Sequence, residues 1–190
     1  MTKRMRRIAV GVVAPLVIGL VGRVLVVLSL PTLPDPIATH WGPTGVADGF
    51  GNVVVILVML PVIVLAYAAF AFFITRSPGQ GFGVNQRLVL AIGPYLATMM
   101  SVLVAGSVVI QRGLDDARDA PSIVPLVGLG FGLGLLAGVA AWFALPAHTA
   151  LAELDAEDVP ALALGATERA TWTRVIEPSR TLAIVLTVLF

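Results

Sequence analysis

Four long apolar runs set the terms for this chain: Ile8–Leu30, Val53–Ile74, Leu88–Ile110 and Ile123–Leu145. The hydrocarbon core of a bilayer is about 30 Å thick, and a helix needs roughly 20 apolar residues to cross it. Each run reaches that length. In lipid, a spanning segment must satisfy its backbone polar groups internally, and runs this long without alternation read as helices. The expected fold is therefore an all-α integral membrane protein built as a four-helix transmembrane bundle. A fifth apolar run, Leu182–Phe190, is too short to span. It reads as an interfacial tail or as the start of a fifth hydrophobic helix in a longer chain.

Composition agrees with this reading. Charged residues make up 12% of the 190 residues and hydrophobic ones 58%, with a mean hydropathy of +0.98. A soluble domain carries about 25% charged residues, so this chain has too few to cover a surface in water. Its net charge of +1 gives no field that would gather nucleic acid. Cysteine is absent, which removes disulfides, thiolate nucleophiles and Cys–metal sites.

The opening MTKRMRR resembles the basic start of a signal peptide. The apolar run behind it is too long, and no A-x-A cleavage pattern follows, so it reads as a retained helix. Orientation comes from Lys and Arg in the short loops. Lys3, Arg4, Arg6 and Arg7, then Arg76 and Arg87, then Arg169, Arg174 and Arg180 fall on one side. Only Arg112 and Arg118 fall on the other, and loop 31–52 has no Lys or Arg. The N-terminus is expected in the cytoplasm of a multi-pass protein, with loop 31–52 outside. The chain then divides into a helical hairpin (1–75) carrying loop 31–52, a second transmembrane hairpin (76–145), and a cytoplasmic connector with the incomplete fifth segment (146–190).

Loop 31–52 is too long for a simple helical hairpin turn. Pro31, Pro34 and Pro36 fix φ and remove backbone donors, so the chain leaves the first helix extended. Gly42-Pro43-Thr44-Gly45 and Asp48-Gly49 are turn signals. Ile37, Trp41, Val46 and Phe50 supply apolar anchors. The expectation is a compact structured cap on the outer membrane face. Asp35, His40 and Asp48 could gather as a binding cluster. A single His without a nearby second ligand argues against a metal site. The plainer alternative has both Asp side chains capping turns and His40 bonded to backbone carbonyls. Recognition of an extracellular molecule is the third reading.

The stretch Leu33-Pro34-Asp35-Pro36-Ile37-Ala38-Thr39-His40-Trp41-Gly42-Pro43-Thr44-Gly45-Val46-Ala47-Asp48-Gly49 resembles the signature of the membrane family called domain of unknown function 1648. Leu33, Pro34, Ile37, His40, Trp41, Gly42, Gly45, Asp48 and Gly49 stand on its characteristic positions. Ala38 replaces the second Pro of the pattern, and Asn52 stands where members often carry Lys. The resemblance covers the first two helices and their loop. It implies a non-enzymatic bacterial membrane protein with an extracytoplasmic recognition loop, related to SdpI-type immunity proteins that protect against a secreted peptide and take part in signalling. Gly165–Trp172 also resembles an element of larger actinobacterial relatives, where further helices and a small β domain follow. On that comparison this chain is a truncated or shortened relative.

Other features narrow the alternatives. Arg23 lies inside the first span and is expected either to snorkel outward or to pair with Asp35 or Asp48. Pro15, Pro61 and Pro94 interrupt spans and should kink them. No acidic residue occurs in any span, so the ligands usual in a proton or cation pathway are missing and a small transporter is a weak reading. Gly128, Gly130, Gly132, Gly134 and Gly138 give small-xxx-small spacings on two faces of the fourth span, suited to close packing within the chain or, less favourably, to homodimerisation. Ala147–Glu157 reads as a short amphipathic helix, and His148 as an interfacial side chain. No nucleophile, base and acid can be assembled, so enzyme activity, cofactors and metals are not expected. The partners expected are the bilayer and an extracytoplasmic peptide. The runner-up is an accessory structural subunit of a larger membrane complex.

Overall fold

A computed structural model of the chain describes residues 1–76 and 83–147. The first span is one continuous rod of three pieces: α1 (Lys3–Ile8), a π-helical turn (Ala9–Val13) and α2 (Ala14–Ser29), closed by a 3-10 turn at Leu30–Thr32. A two-stranded sheet follows, β1 (Ile37–Trp41) and β2 (Ala47–Gly51). The remaining helices are α3 (Val54–Arg76), α4 (Val84–Val109) and α5 (Val124–Ala144). A 3-10 turn, Ala117–Asp119, lies between α4 and α5. Among the described residues four helices are long and apolar enough to cross a membrane, and the chain is a multi-pass membrane protein by that measure. The fifth apolar segment, the connector from residue 148 onward and His148 lie outside the described residues.

The helices turn apolar side chains outward as well as inward. Phe73 and Phe143 are 72% and 74% exposed. In water such surface would be a liability; in a bilayer, lipid tails cover it. The interior is built instead from small residues. Ala68, Ala71, Ala91 and Ala141 surround Val12, Leu90 and Leu145 at one end of the bundle. Ala105 joins Val26 and Val108 at the other. Lipid supplies no hydrophobic drive between helices, so close backbone approach through small residues is the means of packing.

The interruptions foreseen at the prolines have specific forms. Pro15 has no N–H to offer the Gly11 carbonyl, and the chain meets it with a wider turn, in which the Ala14 N–H bonds back to the Ala9 carbonyl. Pro61 likewise leaves the Leu57 carbonyl without its partner four residues on. Arg23 fills that vacancy, donating from Nη1 to the Leu57 carbonyl. The expected ion pair with Asp35 or Asp48 is not formed. Arg23 bonds across to α3, not to the loop, because the carbonyl freed by Pro61 lies within its reach.

Helix α5 packs against α4, and its glycines divide the work. A Cβ at Gly134 would stand 3.0 Å from the Tyr95 carbonyl, and one at Gly130 3.4 Å from that of Met99. A Cβ at Gly138 would stand 3.1 Å from the Cβ of Tyr95. Gly128 and Gly132 have nothing within 4 Å of a Cβ and lie on the far side. Gly134→Leu is therefore expected to force α5 off α4 and cost about 1–3 kcal/mol. Gly132→Leu should leave stability unchanged. Thermal unfolding in mild detergent checks the contrast; equal losses would refute this assignment of faces.

At the end away from the hairpin, two arginines close α5. The last carbonyls of a helix lack internal donors. Arg87 donates from Nε and Nη2 to the Trp142 carbonyl at 3.2 and 2.7 Å, and stacks over the Trp142 ring at 4.2 Å. Arg6 donates likewise to the Ala144 carbonyl at 3.1 and 2.5 Å. Both cations also oppose the negative end of the helix dipole.

Candidate functional site: a hairpin cap

The loop between the first two spans folds as a β-hairpin, which departs from a purely helical reading. β1 and β2 pair antiparallel, with Ala38 opposite Phe50, His40 opposite Gly49 and Trp41 opposite Ala47. The register slips on both sides of His40. Gly45 turns the chain at φ +77°, a left-handed value that favours glycine. Its N–H bonds to the Gly42 carbonyl, and the Gly42 N–H to that of Val46, each at 2.9 Å. Asn52 ends the hairpin by accepting the Val54 N–H at 2.8 Å, which caps the start of α3.

Within the hairpin, His40 Nδ1 stands 2.5 Å from Asp48 Oδ1. A carboxylate only accepts, so Nδ1 donates and Nε2 is left for another partner. Both side chains are largely exposed, at 70% and 52%, so the pair adds at most about 1 kcal/mol to stability. Gly42 and Gly49 make room for it. A Cβ at Gly42 would stand 2.8 Å from Asp48 Oδ2, and one at Gly49 2.7 Å from the His40 Cβ.

The hairpin is bolted to the segment that joins α4 and α5. Gln111 is the main bolt and is fully buried. Its Oε1 accepts the Ala38 N–H at 2.6 Å, and its Nε2 donates to the Ala38 carbonyl at 3.0 Å and to that of Ser107 at 2.8 Å. The side-chain amide thus behaves as one residue of a third strand on the open edge of β1. Trp41 donates from Nε1 to the Pro121 carbonyl at 3.1 Å. The Gly113 N–H donates to the Thr32 carbonyl at 2.7 Å. Gly45 is buried against Ser122 and Val124, which leaves no room for a side chain.

Between hairpin and segment lies a cleft of about 290 Å³, lined by Pro34, Asp35, Pro36, Phe50 and the 115–118 turn. Asp116 accepts the Arg118 N–H at 2.8 Å and pairs with Arg118 Nη1 at 3.2 Å. Those bonds, the backbone one foremost, hold its carboxyl below the usual range. The Arg118 guanidinium lies 5.9 Å from the Phe50 ring centre. Asp35 and Asp115 face the same cleft and are exposed.

Of the residues expected from the sequence, the fold brings Asp48 to His40, while Asp35 stands apart from both in the cleft. Pro34 is buried at the exit from the first span. Among the described residues no three metal-capable side chains gather. The sequence reading missed Gln111, Pro121 and Ser122. One signal was available for Gln111: an amide set directly behind an apolar run.

The hairpin and the parts of the two spans beside it have a counterpart among protein families. Residues 13–65 match the family model described as a domain of unknown function, DUF1648. Over those residues, and not over the rest, the chain is similar to that family. The matched residues run through most of α2, both strands and the first half of α3. No curated protein and no solved structure matches the chain. The hairpin's partners, Gln111 and the 113–122 segment, lie outside the matched region, so the second half of the chain completes its packing.

Proposed function

We propose that this is a non-enzymatic bacterial membrane protein whose N-terminus is cytoplasmic and whose DUF1648 cap recognises a molecule arriving from outside, in peptide immunity or signalling. The observation that carries the reading is the cleft between two loops that pack on each other. Its lining offers Asp35 and Asp115 beside Phe50, whose ring the cleft's own Arg118 faces at 5.9 Å while pairing with Asp116. That lining suits an amine or guanidinium next to an apolar side chain, the chemistry of a cationic amphipathic peptide. The exposed His40–Asp48 pair stands on the same hairpin.

Two measurements test it. Val46 is 61% exposed at the hairpin. In this cysteine-free chain, Val46→Cys should react with a membrane-impermeant maleimide on intact cells; labelling only after lysis refutes the orientation. Deleting the gene should raise sensitivity to cationic membrane-active peptides. Asp35→Asn with Asp115→Asn, or His40→Ala with Trp41→Ala, should reproduce much of that loss at unchanged protein level. Sensitivity that never moves across a broad peptide panel rejects the recognition role.

An accessory-subunit reading draws on a different observation. Gly128 and Gly132 present an open small-xxx-small face on α5. Purification in mild detergent separates the two readings. A co-purifying membrane chain lost on Gly132→Leu favours the subunit; a lone protein removes it.

A further inference from the structure

Charge is sorted along the bundle. Among the described residues, the carboxylates Asp35, Asp48, Asp115, Asp116 and Asp119 all belong to the hairpin end. The opposite end holds Lys3, Arg4, Arg6, Arg7, Arg76 and Arg87, and no described carboxylate. Arg6 and Arg87 are turned inward onto the carbonyls of α5. Lys3 and Arg4 are exposed on α1, which packs against α3, the helix that ends at Arg76. The Arg76 guanidinium lies 4.4 Å from the Phe72 ring centre.

Length fixes the level at which these cations sit. The first helix runs 30 residues, Lys3–Thr32. At about 1.5 Å per residue it is about 45 Å long, against a hydrocarbon core of about 30 Å. The surplus lets its basic first turns reach the headgroup layer, the level that suits Lys and Arg head groups. We propose that Lys3, Arg4 and Arg76 form a docking surface for the phosphate of an anionic phospholipid headgroup. A guanidinium fork matches a phosphate diester, and Lys adds a mobile point charge. A net-neutral headgroup carries its own cation and gains less at an all-basic rim.

Native mass spectrometry of the full chain, released from mild detergent with equal phosphatidylglycerol and phosphatidylcholine, reads the preference directly. The expected result is several-fold excess retention of phosphatidylglycerol. Lys3→Gln/Arg4→Gln/Arg76→Gln should bring the ratio to parity, and Lys3→Arg/Arg4→Lys/Arg76→Lys should keep it. Arg112→Gln, at the hairpin end, should leave it unchanged. Parity in the wild type, or a ratio unmoved by the triple Gln change, overturns the proposal. Loss of the preference in excess inorganic phosphate also overturns it, in favour of a free-anion site.

Discussion

Replacing Gln111 with Leu is expected to release the hairpin from the bundle. The amide serves both backbone groups of Ala38, a residue with no exposed surface. Leucine is of similar size but can serve neither. Each backbone group stranded in a dry site costs about 1–3 kcal/mol, so the loss for the two should be roughly 2–6 kcal/mol. Ala38→Cys keeps the N–H and places a single thiol at the joint of a cysteine-free protein. That thiol should resist maleimide in the parent and react in the Gln111→Leu background, together with a lower midpoint of thermal unfolding. Continued protection would mean that Trp41 and Gly113 hold the hairpin without help. Ala38→Pro is expected to act in the same direction, since it removes the N–H that Oε1 accepts.

Arg23 and Pro61 should show strong energetic coupling although neither side chain is the other's partner. Pro61 strands the Leu57 carbonyl, and Arg23 satisfies it. The net effect of Arg23→Leu alone is a difference of two terms. The carbonyl loses its donor, at about 1–3 kcal/mol. The helix also sheds a charge that costs about 2.5–3.5 kcal/mol at mid-membrane and less near its edge. A double-mutant cycle removes the second term, because it is common to both backgrounds. In the Pro61→Ala background the helix makes its own bond to Leu57, and Arg23 has nothing to repair. Arg23→Leu should therefore be more harmful by about 1–3 kcal/mol with Pro61 present than in the Pro61→Ala background. Equal effects in the two backgrounds would rule out the repair.

These two sites also mark how far the sequence could be read. The spans were legible because lipid imposes a length on apolar runs. Val53–Ile74 became Val54–Arg76, and Ile123–Leu145 became Val124–Ala144. The third span begins at Val84, not Leu88, because Asn85, Gln86 and Arg87 are polar yet continue the helix toward the headgroups. That loop 31–52 would be structured followed from its turn signals and anchors. Its β form did not. Ala47-Asp48-Gly49-Phe50-Gly51 is rich in residues disfavoured in strands, and the slips beside His40 break the alternation of β1. Gln111 meets Ala38 across 73 positions, and no local pattern signals a contact of that range. The Arg23 link was legible only as a question about the charge. Its answer required the carbonyl four residues before a proline on another helix.

That link has a consequence for biogenesis. The acceptor for Arg23 lies 34 residues later in the chain. When the first helix leaves the ribosome its guanidinium has no protein partner, and the carbonyl that will receive it has not yet been made. The apolar residues of that helix, at about 0.3–0.6 kcal/mol each, are enough to hold it at the translocon, but its charge stays unsettled. The first two helices are thus best admitted to the bilayer as a pair, with the Leu57 carbonyl that Pro61 leaves open ready to receive Arg23.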